Sequence, residues 1–180
     1  MLKAYMSVLF AATLFVITTQ PAPGQSELRQ KEETHFSAED ENVNHPVAIP
    51  AEVMALLAKD QRVRDVLDDQ NIAPANLPTS WFSAAQVRLG SKGENDFIVA
   101  SKGPLLGANI DPFWVFIRDG HNYKLALSIS THDLIVKRTR AHRYRDLELD
   151  AMTASTITTA QFRFDGNAYK EFTEKTTDIK

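Results

Sequence analysis

From Trp81 to Phe172 the chain is written in period two, and that rhythm limits the fold more than any other feature. Ala85, Val87 and Leu89 alternate with polar residues. Tyr123, Leu125, Leu127 and Ile129 alternate with Lys124, Ala126, Ser128 and Ser130. Successive strand side chains point to opposite faces, so each run predicts a half-buried strand. Phe113-Trp114-Val115-Phe116-Ile117 is apolar on both faces, as a central strand covered on two sides should be. Phe97-Ile98-Val99-Ala100, Leu134-Ile135-Val136, Leu147-Glu148-Leu149 and Phe162-Arg163-Phe164 continue the series. Gly90-Ser91-Lys92-Gly93, Asp119-Gly120 and Asp165-Gly166 punctuate it, because glycine takes positive φ at little cost. Short strands at this spacing predict a mainly β domain over residues 79–180: an antiparallel sandwich-like sheet or partial propeller.

The preceding stretch changes character. Residues 51–78 predict a helical segment with Val53, Leu56, Leu57, Val63, Val66 and Leu67 on one face. The stripe breaks at Asp60-Gln61, which divides it into two short helices. Pro50 suits a helix start, and Asn71, Pro74 and Pro78 end the pattern. Residues 25–50 carry Glu27, Glu32, Glu33, Glu39, Asp40 and Glu41 with few large apolar side chains, which predicts a disordered acidic leader.

Residues 1–24 have the three parts of a secretory signal: Lys3, an apolar run from Val8 to Ile17, and a small-residue exit at Ala22 and Gly24. The apolar run stops at Thr18-Thr19-Gln20-Pro21, short of the roughly 20 residues that span a bilayer. Cleavage after Gly24 and a periplasmic or extracellular destination are therefore expected, with no membrane span after processing. The chain has no cysteine, which removes disulfides, thiolate catalysis, cysteine-ligated zinc and a cysteine-borne lipid anchor. About 155 residues remain after processing, enough for one domain with its own core. The formal charge of −3 becomes −4 without Lys3, too mild to imply nucleic acid or a membrane surface.

Two parts of the strand region echo each other. One runs Asn95-Asp96-Phe97-Ile98-Val99, then Phe116-Ile117-Arg118-Asp119-Gly120-His121-Asn122-Tyr123-Lys124. The other runs Arg145-Asp146-Leu147-Glu148-Leu149, then Phe162-Arg163-Phe164-Asp165-Gly166-Asn167-Ala168-Tyr169-Lys170. Each has an aspartate, a strand, a loop, an aromatic strand, Asp-Gly, two residues and Tyr-Lys. In these segments the chain resembles small exported bacterial proteins whose strands are similar to FG-GAP (integrin-type) propeller blades. The resemblance covers Trp81 to Phe172. It departs from the family at Ser91-Lys92-Gly93-Glu94-Asn95-Asp96, which lacks the alternating acids of a calcium loop, so calcium is not expected. Two units are too few to close a propeller, which leaves a partial, sandwich-like sheet.

No stretch spells out a reaction. HExxH, G-x-S-x-G and P-loop patterns are all missing. His35, His45, His121, His132 and His142 form no metal-ligand pair, and Gly103 and Gly107 read as a loop. No catalytic residue, metal or cofactor is predicted. Asp146, Glu148 and Asp150 share one strand face at about 7 Å spacing, a distance that suits an inverting carboxylate pair acting on a glycan or a hard cation; the plainer alternative is a solvated outer face opposite Leu147 and Leu149. The most unusual feature is the basic run with Lys137, Arg138, Arg140, Arg143 and Arg145, interleaved with His142 and Tyr144. It predicts a surface for an anionic envelope polymer or an exported acidic protein, or else a solvated loop balanced by the acids after it. The leading functional expectation is a non-enzymatic binding or accessory module. The alternatives are a glycan hydrolase on the carboxylate face and an inhibitor of an exported enzyme, inserting the loop from Gly103 to Pro112.

Overall fold

The computed structural model of the chain describes residues 32–91, 93 and 95–179. The expected signal sequence and its cleavage point lie outside them.

Two antiparallel sheets pack face to face. One has the strand order β2-β3-β4-β5, with β2 Phe82–Val87, β3 Asp96–Ser101, β4 Asp111–Asp119 and β5 Asn122–Thr131. The other is β1-β6-β7-β8-β9, with β1 His35–Ser37, β6 Asp133–Ala141, β7 Tyr144–Met152, β8 Thr156–Phe164 and β9 Tyr169–Asp178. Each sheet is built on a four-strand meander, and a single residue, His132, carries the chain from the first to the second. The two echoing segments fall at matching places: β3-β4-β5 in one sheet and β7-β8-β9 in the other.

Alternation places the core. Ile98, Phe113, Val115 and Ile117 point inward from the first sheet and meet Leu134, Val136, Leu147, Leu149, Phe162 and Phe164 from the second. Trp114 and Phe116 point the other way and are fully buried too, which explains why β4 is apolar on both faces. What covers them is a helical layer. In α1 (Ala51–Leu57) and α2 (Gln61–Asp69), Val53, Leu57, Val63 and Leu67 seat against Phe82, Val99, Trp114 and Phe116.

Asp60 lies between the helices. Its Oδ1 accepts the Arg62 N–H at 3.0 Å, capping α2, while its Oδ2 accepts the Trp114 indole N–H at 2.9 Å and the Ser128 hydroxyl at 2.6 Å. The break that the helical stripe predicts is thus also the joint between layers.

Residues 32–50 differ from the disordered leader expected there. β1 pairs with β6, Phe36 is 2 % exposed within the core, and the Glu33 carboxylate accepts N–H bonds from the Asn44 backbone and side chain. Polar composition does not prevent docking when one aromatic anchor and a strand edge supply the contacts. Among the described residues no helix is long and apolar enough to cross a membrane.

Candidate functional site

The ends of the sandwich are where side chains of opposite character collect. Strand β4 separates them by about 27 Å, from Asp111 to Asp119.

At the Asp119 end, the β4–β5 hairpin, the β6–β7 hairpin and the segment after β2 enclose a cleft of about 310 Å³. Its walls include Gly90, Arg118, His142, Arg143 and Tyr144. The buried Asp96 carboxylate organises it. Oδ2 accepts the Leu89 and Gly90 N–H groups at 2.9 and 3.0 Å, and Oδ1 accepts the Arg118 N–H at 2.9 Å. One side chain therefore fixes the backbone of two walls. Gly90 bridges to Tyr144, whose ring would meet an added Cβ at 3.4 Å, an ordinary packing distance. The Arg118 guanidinium lies 4.8 Å from the centre of the Tyr123 ring.

The β6–β7 hairpin turns on His142 and Arg143, with φ values of 47° and 71°. Both lie in the left-handed region, where a side chain is strained and Asn-Gly is the usual choice. The His142 Nδ1–H donates to the Phe164 carbonyl at 2.8 Å, which ties the turn to β8. The two exposed residues are thus held in a conformation that their side chains disfavour.

The basic run is divided among different environments. Arg145 is buried: its guanidinium donates to the Lys137 carbonyl at 2.6 Å, the Val136 carbonyl at 3.0 Å and the Glu32 carboxylate at 3.0 Å. The β6–β7 register slips between Val136 and Arg140, and this guanidinium satisfies the carbonyls released there. Lys137 pairs with Glu148 at 2.8 Å. Arg140 donates to the Leu89 and Arg143 carbonyls, bracing the cleft from beneath. Arg138 and Arg143 are exposed, with no side-chain partner among the described residues. Arg118, which the basic run does not contain, joins Arg143 because the two sheets stack with these hairpins at the same end.

The carboxylate face is largely neutralised. Glu148 is held by Lys137 and lies 3.5 Å from the Gln161 amide; Asp146 lies 3.6 Å from Arg163. Oδ1 of Asp146 and of Asp150 are buried without a hydrogen-bond partner among the described residues. None of these three acids lines the clefts described here.

At the other end, the sheet crossover borders a cleft of about 560 Å³. His132 Nδ1 lies 3.1 Å from Asp133 Oδ2, His35 Nε2 lies 3.1 Å from Asp133 Oδ1, and His132 Nε2 lies 3.5 Å from Glu39. The hydrogen bond to Asp133 raises the His132 imidazole above its ordinary range; burial opposes this, and the charges of Asp133 and Glu39 reinforce it. Burial alone would push the Asp133 carboxyl up, but hydrogen bonds from Ser37, His132 and His35 together hold it below its ordinary value. This chain links residues 98 apart in sequence, so no local signal announces it. Among the described residues no group of three or more His, Asp or Glu side chains is arranged to hold a metal ion.

No family model, curated protein or solved structure matches this chain.

Proposed function

We propose that this chain is an exported, non-enzymatic binding module that grips an anionic partner at the Asp119 end of the sandwich. The partner class is a phosphate-bearing envelope polymer or an acidic exported protein. The observation that carries the reading is the strained His142–Arg143 turn beside Arg118. Two guanidinium groups and an imidazole line one cleft against the single carboxylate of Asp119, on hairpins held by Asp96 and Arg140; the Arg118 Nε–H also donates to the Gly120 carbonyl at 3.0 Å. Arginine suits this role, because its planar fork meets phosphate or carboxylate oxygens in pairs. At Arg143 the backbone strain is offset by no side-chain hydrogen bond or ion pair among the described residues, which is the pattern expected where function selects the residue.

Titration with a short inorganic polyphosphate tests the proposal. Affinity is expected to fall steeply from low to moderate salt, because exposed charges are screened beyond about 8 Å at physiological ionic strength. Replacing Arg143 by Ser should weaken binding about tenfold and leave the melting temperature nearly unchanged. Equal binding by parent and variant would overturn the assignment.

A further inference from the structure

We infer that the crossover cleft is a second docking site, for a peptide segment carrying a bulky apolar side chain beside lysine or arginine. The inference stands on its own residues and does not depend on the anion-binding reading of the opposite end.

The cleft joins two features that ordinary protein surface keeps apart. Its rim is apolar: Leu106 is 51 % and Met152 43 % exposed, and Ile110, 40 % exposed, lies on the same loop as Leu106. Its remaining wall is mostly small or polar and carries two acids. Glu39 and Asp111 line it, Asp133 stands behind His132, and a neighbouring hollow of about 280 Å³ adds Asp40 and Glu41. The cations here are already engaged: Lys102 donates to Asn42 at 2.6 Å, and His132 lies against two carboxylates. An apolar ligand alone would bring no counter-charge to the exposed carboxylates Glu39, Asp40 and Glu41, which outnumber His132 and Lys102 beside them. A cation alone would leave Leu106 and Met152 in water. A side chain of each kind on one strand of peptide answers both, and the cleft volume lies within the roughly 300–1,000 Å³ typical of ligand sites.

The walls are preformed, which reduces the ordering that binding requires. His132 N–H donates to the Asp150 carbonyl at 2.9 Å and its carbonyl accepts from Ala38 at 2.7 Å, fixing the crossover. Across the cleft, Gly107 N–H donates to Asp111 Oδ1 at 2.7 Å. The Ile110 carbonyl packs so closely on Gly107 that an added Cβ would sit 2.1 Å from its oxygen. The loop that presents Leu106 and Ile110 is clasped at its base.

The probe is an acetylated, amidated tripeptide with leucine between two arginines, followed by backbone amide shifts in nuclear magnetic resonance. Shifts are expected at Glu39, Leu106 to Asp111, His132 and Met152 to Ala154. A peptide with glutamates in place of the arginines, or serine in place of leucine, should bind about tenfold more weakly. The Glu39→Gln/Leu106→Ser variant should lose about tenfold for the parent peptide; if that variant unfolds, Met152→Ser should show the loss instead. Three peptides binding alike would overturn the inference, as would shifts confined to the hairpin end. Self-association through these amides with no response to peptide would overturn it in favour of a second copy of the chain.

Discussion

Arg145 lies buried beneath the β6–β7 slip with three acceptors, while Arg143, two residues earlier, stands in solvent with positive φ. The same side chain does opposite work at the two positions, and substitution should separate them. Arg145→Met strands two backbone carbonyls and unpairs Glu32, so unfolding in denaturant is expected to become easier by about 3 kcal/mol. Arg143→Gly relieves the left-handed strain and should stabilise the chain by about 1 kcal/mol while weakening polyphosphate binding. A loss of stability in that variant would show that Arg143 is there for the fold. At the crossover, the pH dependence has a definite sign. The His132 contribution is fully present below the unfolded value of 6.5 and is lost as pH rises through the raised folded value. The Asp133 contribution is present above 3.8 and is lost as pH falls through its lowered folded value. The melting-temperature gap between parent and His132→Gln should therefore be wider near about pH 5 than near about pH 9. An unchanged gap would remove the imidazole–carboxylate pair from the account.

At the scale of elements, the helical layer is joined to the sheet by Asp60. Asp60→Ala removes a helix cap and leaves the Trp114 indole N–H and the Ser128 hydroxyl without their acceptor. A destabilisation of about 2–4 kcal/mol is expected in chemical denaturation, with a change in tryptophan fluorescence. The alternation of β5, the doubly apolar β4, the Asp-Gly hairpins and the break at Asp60-Gln61 were all legible, because each follows from backbone periodicity or turn chemistry within a few residues. β1 was not. Phe36 is a lone aromatic in an acidic stretch, and its burial depends on the edge of β6, about a hundred residues further on. The same distance hid the His35–Asp133–His132 chain, while Arg118 and Arg143 share one cleft because the two sheets stack, which no run along the chain displays. Nothing near Arg145 marks it as buried; its role comes from a slip in pairing that local patterns do not reveal. The far edge is plainer. β9 carries Lys170, Glu171, Glu174 and Lys175, all exposed, which discourages a further strand from adding there.

For the molecule as a whole, the two meanders separate an arginine-bearing end from an apolar-rimmed end that carries Glu39, Asp40 and Glu41. In the function proposed above, side chains on the hairpins would make the contacts and the core would hold the two ends apart. Salt acts strongly on such contacts and weakly on the core, so binding and stability should respond differently to ionic strength. The most direct measurement is where an anionic ligand lands. With polyphosphate added to the isotopically labelled chain at low salt, backbone amide shifts should concentrate at Gly90, Arg118 to Gly120 and Ala141 to Tyr144. They should leave His132 and Met152 to Ala154 unmoved, and they should collapse on raising the salt. Shifts spread evenly over the surface, or gathered at the crossover end, would contradict the account.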